Sequence, residues 1–219
     1  MALPGQPSEP AGEENQVVTT SRAVFLDRDG VLVVPTFRDG RSFAPTRLED
    51  YRFYPAAAPA LTRLKAAGYR IVVVTNQPDV GKGLIARDVM DEMHARLCRA
   101  MPIDAVMACF HTQAEGCDCR KPKPGMLIDA ARQLRIDLTE SYIVGDRASD
   151  VEAGEAAGCR TVLIDLDYRE HKPVAPTFTV RSVAEAVDVM TRCNPETTGG
   201  TYAARSRFEG EDFRRRGRS

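Results

Sequence analysis

Residues 23–30 read Ala-Val-Phe-Leu-Asp-Arg-Asp-Gly, an apolar run that ends directly in acidic residues. A run of this length and composition predicts a short buried strand over Ala23–Leu26. Asp27 and Asp29 lie two residues apart, so both carboxylates can project to one side where the strand ends. Like charges this close repel unless a cation or a shared proton intervenes. The alternative interpretation is an Asp-rich turn that Gly30 closes, which is common in loops.

Strand-like and helix-like segments alternate along the rest of the chain. The segment Ile71–Val74 is continuous and β-branched, as expected of a strand that is covered on both faces. We expect further strands at 105–108, 142–144 and 161–164, and helices at 56–67, 88–100, 126–134, 150–157 and 183–191. This alternation predicts an α/β fold with a three-layer, Rossmann-like parallel sheet. In such sheets the functional site lies at the carboxyl ends of the strands.

Composition excludes several functional classes. The 219 residues contain 30 Lys and Arg against 31 Asp and Glu, for a net charge of −1. This balance argues against nucleic-acid binding and polybasic membrane binding. No apolar run approaches the ~18 residues of a membrane span. The N-terminus lacks the basic start and apolar core of a secretory signal, so we expect a cytoplasmic protein, and a monomer by default.

The two ends of the chain differ from its middle. Residues 1–21 and 194–219 are rich in Pro, Gly, Glu, Ser, Thr and Arg and poor in large apolar side chains. Such segments cannot bury enough apolar surface to offset the entropy lost on ordering. We therefore expect two disordered tails around one domain at 22–193.

A group of cysteine and histidine residues lies in the middle of the chain. Its members are Cys109, His111, Cys117 and Cys119. In a chain without an export signal, such a group favours a metal over disulfides. Cys-x-His followed by Cys-x-Cys suits a closed, tetrahedral Zn²⁺ site that leaves no open position for catalysis. The alternative is chance clustering of small core cysteines.

Three more polar motifs follow predicted strands or the cysteine group. Thr75-Asn76-Gln77 offers a hydroxyl and two amides that could hold a phosphate or a sugar, or could simply form a turn. In the segment 120–125 two lysines alternate with two prolines, and the prolines fix the backbone. The alternative is a basic loop in water. At a strand end, Asp146 suits a hard cation, whereas Asp150 is predicted to be a helix N-cap.

The four strand-end motifs, in this order, resemble those of the haloacid dehalogenase-like phosphatases. The matching positions are Asp-x-Asp-Gly at 27–30, Thr75, Lys121 before Pro-x-Pro, and Gly-Asp-x-x-x-Asp at 145–150. The resemblance covers about residues 23–165 and implies the haloacid dehalogenase-like fold. Only about 25 residues separate Gly30 from the first predicted helix, too few for an inserted cap domain. We expect a hairpin and a loop over Val33–Tyr54 instead.

The resemblance also implies a role for each motif residue. Asp27 would attack phosphorus and form an aspartyl-phosphate, and Asp29 would protonate the leaving oxygen and later activate water. Asp27, Asp146 and the backbone carbonyl of Asp29 would bind Mg²⁺. Thr75 and Lys121 would hold the equatorial phosphoryl oxygens.

The run Cys-Asp-Cys-Arg-Lys-Pro-Lys-Pro-Gly-Met at 117–126 is similar to that of the D-glycero-D-manno-heptose 1,7-bisphosphate 7-phosphatases. The related histidinol-phosphate phosphatases share the zinc loop and the Phe-Leu-Asp-Arg-Asp-Gly start at 25–30. The first resemblance implies removal of the 7-phosphate from a small phosphorylated sugar. The expected substrate contacts are Arg28, Asn76, Gln77, Arg120 and Arg147.

Alternatives remain on both sides of this interpretation. Within enzymes, the chain could act on histidinol phosphate or another small sugar phosphate; its abundant arginine favours an anionic substrate. From another class, it could be a non-catalytic, zinc-stabilised binding protein. Loss of Asp27 or Asp29 would mark that class, and both are present.

Overall fold

The computed structural model describes residues 20–38, 41–168 and 175–192. Apart from Thr20 and Ser21, the predicted tails lie outside the described residues. Ser21 forms a parallel β-bridge with Ile136. Among the helices of the described residues, none has the length and the apolar content needed to cross a membrane.

Six parallel strands form the central sheet, in the order β5-β4-β1-β6-β7-β8. Their bounds are Ala23–Leu26 (β1), Arg70–Asn76 (β4), Ala105–Cys109 (β5), Tyr142–Gly145 (β6), Arg160–Ile164 (β7) and Phe178–Val180 (β8). The predicted parallel sheet is confirmed. Strand β8 was not predicted, because three residues at a sheet edge are too few to show a strand pattern.

Helices cover both faces of the sheet. They are Ala57–Ala66 (α1), Pro78–Gly81 (α2), Arg87–Ala100 (α3), Gly125–Leu134 (α4), Ala148–Ala157 (α5) and Val183–Arg192 (α6). Val24 and Leu26 pack in one apolar core with α1, α3 and α6. Ala23 and Phe25 pack in the other with α4 and α5. Successive strand side chains point to opposite faces, so this alternation in β1 builds the predicted three layers.

A short hairpin lies between Gly30 and α1, the segment predicted to be too short for a cap domain. Strands Thr36–Arg38 (β2) and Arg41–Phe43 (β3) pair antiparallel. The expected hairpin is therefore confirmed. The described residues between Gly30 and α1 form only this hairpin, isolated bridges and turns.

Candidate active site

A cavity of about 1000 Å³ opens at the carboxyl ends of β1, β4 and β6. Parallel strands that end at one edge bring residues distant in sequence together there. The predicted site residues that line the cavity are Asp27, Asp29, Thr75, Asn76, Cys117, Arg120, Lys121 and Arg147. The sheet thus assembles most of the predicted site, as its parallel topology requires.

Three carboxylates form the most acidic part of the site. Asp27, Asp146 and Asp150 are all buried, and each has a ligand oxygen within 4.8 Å of those of the others. Both oxygens of Asp146 are buried and make no hydrogen bond of ordinary geometry with the described residues, although the Tyr168 hydroxyl lies near enough to interact with the carboxylate. Burial, and then the charges of Asp27 and Asp150, raise the pKa of Asp146 well above its ordinary value. This donor set suits a hard divalent cation, which would bind these oxygens and balance their charge.

Asp150 was predicted only as a helix cap, and the structure corrects that prediction. Helix α5 begins earlier than expected, so Arg147 is the N-cap residue, and Asp150 Oδ2 accepts a hydrogen bond from the Arg147 amide at 3.1 Å. The other oxygen, Oδ1, lies 2.5 Å from Lys121 Nζ. Burial raises the pKa of Asp150 to about 6, although the Lys121 ammonium opposes the change. The last Asp of Gly-Asp-x-x-x-Asp was the signal for this role.

Lys121 is the cation at the centre of the carboxylates. Its Nζ lies 3.0 Å from Asp27 Oδ1 and donates a hydrogen bond to Val74 O at 2.7 Å. Burial by itself would lower the pKa of Lys121, but the charges of Asp150 and Asp27 outweigh it and raise the pKa. The side chain is only 2 % exposed, so Lys121 is a charged group held inside the protein.

Asn76 fixes the segment that carries Lys121. Its Nδ2 donates to Lys121 O at 3.0 Å, and its Oδ1 accepts from the Lys121 amide at 3.1 Å. Both polar atoms of the side chain therefore bind the backbone of Lys121. The structure gives Asn76 this positioning contact, and its predicted contact with substrate stays a prediction.

Gln77 connects two of the predicted catalytic side chains. Its Nε2 donates to Asp29 Oδ2 and to Thr75 Oγ1, both at 2.8 Å. Gln77 is 1 % exposed and does not line the cavity. The structure therefore places it behind Asp29 and Thr75, in place of the predicted substrate contact.

Arg28 requires the clearest correction. Its side chain is fully buried, with no exposed surface, and so does not face the cavity as predicted. Its Nε donates to Asp29 Oδ1 and Oδ2 at 3.2 and 3.1 Å. The Arg28 guanidinium lies between the Asp29 carboxylate, which lines the cavity, and Met90 and His94 of helix α3.

Two other arginines reach the cavity wall. The Nη2 of Arg147 donates to Ser42 O at 2.8 Å and to Ser42 Oγ at 2.7 Å, which ties β3 to the start of α5. Arg120 lines the cavity, and its Nη1 donates to His111 O at 3.4 Å. Their contacts with substrate stay predictions, but their positions allow them.

Gly30 is required by the close packing of the first and fourth motifs. Its φ is +87°, a conformation that favours glycine. A Cβ at this position would lie 2.0 Å from Asp146 Oδ2. Any larger residue would displace a carboxylate of the acidic cluster.

The predicted zinc ligands also converge. The Sγ atoms of Cys109 and Cys117 lie 3.6 Å apart, those of Cys117 and Cys119 lie 3.5 Å apart, and Cys119 Sγ lies 3.3 Å from His111 Nδ1. Ligands placed ~2.3 Å from one tetrahedral metal would have comparable separations. The set therefore fits Zn²⁺.

The loop that carries the Cys/His cluster, 109–119, packs closely on the next helix. A Cβ on Gly125, the first residue of α4, would lie 2.3 Å from Asp118 O in the loop. The loop continues directly into Arg120 and Lys121. Its conformation therefore helps to set where Lys121 enters the site.

Comparison with known proteins gives concordant results. A family model described as HAD-hydrolase-like matches residues 118–186. A D-glycero-beta-D-manno-heptose-1,7-bisphosphate 7-phosphatase from Rhodopseudomonas palustris is 40 % identical over 152 residues, which cover 62 % of this chain and 79 % of that protein. The enzyme of the same name from Pseudomonas aeruginosa is 36 % identical over 146 residues, covering 64 % and 79 %.

A solved structure extends the likeness to three dimensions. It is a D,D-heptose 1,7-bisphosphate phosphatase from B. bronchiseptica complexed with magnesium and phosphate. It aligns with a TM-score of 0.65 and 27 % sequence identity, over 78 % of this chain and 98 % of that one.

Proposed function

The chain belongs to the haloacid dehalogenase-like phosphatases, and we propose that it removes the 7-phosphate of D-glycero-β-D-manno-heptose 1,7-bisphosphate. The arrangement that carries this proposal is Lys121 held between Asp27 and Asp150 at a cavity that Asp29 also lines. The names of the similar enzymes support the sugar and the β anomer. The product would be the heptose 1-phosphate.

In the first step, a carboxylate oxygen of Asp27 attacks phosphorus, and the bond from phosphorus to the sugar oxygen breaks. Two contacts of the Asp27 side chain support this role. Its Oδ1 accepts a hydrogen bond from the Arg28 amide at 2.8 Å and lies 3.0 Å from Lys121 Nζ.

Asp29 serves as the general acid and then as the general base. It gives a proton to the leaving sugar oxygen, and later takes one from the water that hydrolyses the aspartyl-phosphate. Lys121 and Thr75 bind the equatorial phosphoryl oxygens and offset their charge. In this role Thr75 keeps a fixed orientation, because its Oγ1 accepts a hydrogen bond from Gln77.

Two metals complete the proposal. Mg²⁺, when bound by Asp27, Asp146 and the Asp29 carbonyl, would offset the repulsion between the acids and the substrate. The buried oxygens of Asp146 support its part in this site, and Asp150 joins the same cluster. Zn²⁺ would hold the loop that leads to Lys121, through the ligands Cys109, His111, Cys117 and Cys119.

We place this activity in a cytoplasmic monomer whose domain is 22–193, between an N-terminal tail at 1–21 and a C-terminal tail at 194–219. The near-neutral net charge of −1 supports a small phosphorylated sugar as partner, without nucleic acid or membrane. The cysteine group, suited to a metal and not to disulfides, supports a reducing compartment.

The substrate assignment is tested by measuring phosphate release with Mg²⁺ from both anomers of heptose 1,7-bisphosphate beside histidinol phosphate. We expect kcat/KM to be highest for the β anomer. Preference for the α anomer would overturn the anomer, and preference for histidinol phosphate would overturn the sugar.

The mechanism is tested separately with Asp27→Asn, which keeps the shape of the side chain but removes its charge. We expect turnover of every substrate to fall at least about a thousandfold, because the nucleophile is lost. Circular dichroism should show an intact fold. Retained activity in a folded variant would contradict the assignment of Asp27.

A further inference from the structure

The guanidinium of Arg28 is enclosed on the side away from the cavity. Its Nη1 donates to Met90 Sδ at 2.9 Å and lies 3.4 Å from His94 Nε2, both on helix α3. Its Cζ lies 5.5 Å from the centre of the Tyr51 ring. Tyr51 is 7 % exposed and Arg28 is 0 % exposed, so the guanidinium beside Asp29 is buried in the protein core.

His94 receives this arginine as a neutral ring. Guanidinium nitrogens can only donate hydrogen bonds, so Nε2 of His94 must be the acceptor. Burial and the neighbouring Arg28 charge lower the pKa of His94 to about 4. The arginine is thus oriented from behind by uncharged groups of α3 and by the Tyr51 ring.

The sole ion pair that the described residues give Arg28 is with Asp29. Its Nη2 lies 2.9 Å from Asp29 Oδ2, in addition to the two contacts from Nε. The Asp29 side chain is 15 % exposed, and so connects the buried arginine to the cavity. A planar guanidinium with several donors fixes a carboxylate in one orientation, which a single ammonium cannot do.

We propose that Arg28 is a positioning residue for the general acid, because its buried guanidinium aims the Asp29 carboxyl group at the leaving oxygen. This inference rests on the proposed function and deepens it. In the step concerned, a carboxylate oxygen of Asp27 bonds to phosphorus, and the bond between phosphorus and the leaving oxygen breaks. The protonated carboxyl group of Asp29 gives its proton to that oxygen and becomes the carboxylate that pairs with Arg28, until it takes a proton from the hydrolytic water. Arg28 touches neither substrate nor phosphorus and acts only through Asp29.

The role predicts a dependence on the leaving group. A sugar alkoxide needs a proton as it departs, whereas p-nitrophenolate is stable without one. The parameter kcat/KM reports the steps up to release of the first product, so later hydrolysis of the aspartyl-phosphate does not enter it. Loss of a residue that positions the acid should therefore lower kcat/KM strongly for a sugar phosphate and only slightly for p-nitrophenyl phosphate.

The experiment compares Arg28→Met with the wild type on both substrates. We expect kcat/KM for heptose bisphosphate to fall about a hundredfold, and that for p-nitrophenyl phosphate by less than about threefold. Arg28→Lys, which keeps the charge but not the planar donors, should show the same selectivity. Equal losses on the two substrates in both variants would overturn the proposal.

A double variant gives an independent test. Adding Arg28→Met to Asp29→Asn should change kcat/KM for heptose bisphosphate by less than about threefold, because the group through which Arg28 acts is already lost. A full further hundredfold loss would overturn the proposal. Arg160→Met is the matched control, since Arg160 lies over Tyr142 at 5.5 Å, outside the site, and should leave both substrates unaffected.

The same assays separate this inference from the substrate assignment. If the wild type hydrolyses glycerol 2-phosphate but not heptose bisphosphate, the proposed substrate is wrong. Glycerol 2-phosphate, whose leaving group is also an alkoxide, then takes the place of the heptose bisphosphate. The role of Arg28 is supported if Arg28→Met lowers kcat/KM about a hundredfold for glycerol 2-phosphate and less than about threefold for p-nitrophenyl phosphate, and overturned if the two losses are equal.

Discussion

The chain contains two ligand clusters that are built in opposite ways. The carboxylates of Asp27, Asp146 and Asp150 come from two strand ends far apart in sequence and from the helix after one of them, and all three are buried. The Cys/His cluster comes from Cys109, the last residue of β5, and from the loop that follows it up to Cys119, and it is partly exposed. The first cluster joins residues far apart in sequence, whereas the second joins residues within one short segment.

The clusters also differ in how their charge is balanced. The carboxylates have a cation of the protein between them, because Lys121 lies within 3.0 Å of Asp27 and 2.5 Å of Asp150. The cysteine cluster has contacts among its own sulfurs and His111, and its thiolates would be balanced by the metal itself. Loss of the Lys121 charge should therefore destabilise the carboxylate cluster. Loss of a bound metal should destabilise the cysteine cluster.

The largest effect should come from Lys121→Met. It leaves buried carboxylates without their cation, and breaking a buried ion pair costs about 3–5 kcal/mol of unfolding free energy. We also expect turnover to fall to background, since the cation beside Asp27 is lost. Urea unfolding without Mg²⁺ and phosphate release measure the two effects.

Lys123→Met is the matched control for that variant. Lys123 lies two residues away and pairs at 2.9 Å with Asp118, whose side chain is 97 % exposed. We expect no measurable change in stability. Equal destabilisation by the two substitutions would show that the carboxylate cluster does not depend on its internal cation.

An intermediate effect should follow Cys117→Ser, which replaces the sulfur of one proposed zinc ligand and leaves the carboxylates unchanged. We expect less than one zinc per chain by elemental analysis and a loss of about tenfold in kcat, because the loop no longer fixes Lys121. Cys98→Ser, on an exposed cysteine of α3, is the control and should keep full zinc. Full zinc and activity in the Cys117 variant would remove the loop from the mechanism.

The smallest effect should be on the pH dependence of stability, through His94 on helix α3. Burial, then the Arg28 charge, lower the pKa of His94 from 6.5 to about 4. The unfolded chain takes up this proton near pH 6.5 while the folded protein resists it. The stability associated with neutral His94 is therefore complete above pH 6.5 and falls as the pH drops towards 4.

His94→Gln tests this dependence, since glutamine can still accept from Arg28 but does not titrate. Between pH 7 and pH 5 the wild type should lose about 1 kcal/mol more of its unfolding free energy than the variant, after allowance for solvent screening. Thermal or urea unfolding at both pH values measures the difference. Parallel pH profiles for the two proteins would contradict the assignment.

Much of the fold could be predicted because its evidence is local. The apolar runs that became β1 and β4, and the spacing of Cys109 to Cys119, involve residues close in sequence. Strand β8 is the exception: its three residues pair only with β7, and this pairing at the sheet edge is a long-range event. A short segment whose partner is distant leaves no periodic signal.

By itself, the sequence determined the carboxyl ends of β1, β4, β5, β6 and β7 to within about two residues, and it placed three cysteines and His111 close together between 109 and 119. Burial of apolar runs and closure of a short loop are local events. Tertiary structure alone decided where the polar side chains point. Arg28 turned to Met90 and His94, Gln77 turned to Asp29, and Asp150 joined the acidic cluster through Lys121. The physical reason is that a buried polar group points to whichever partner satisfies it, and here those partners come from distant segments.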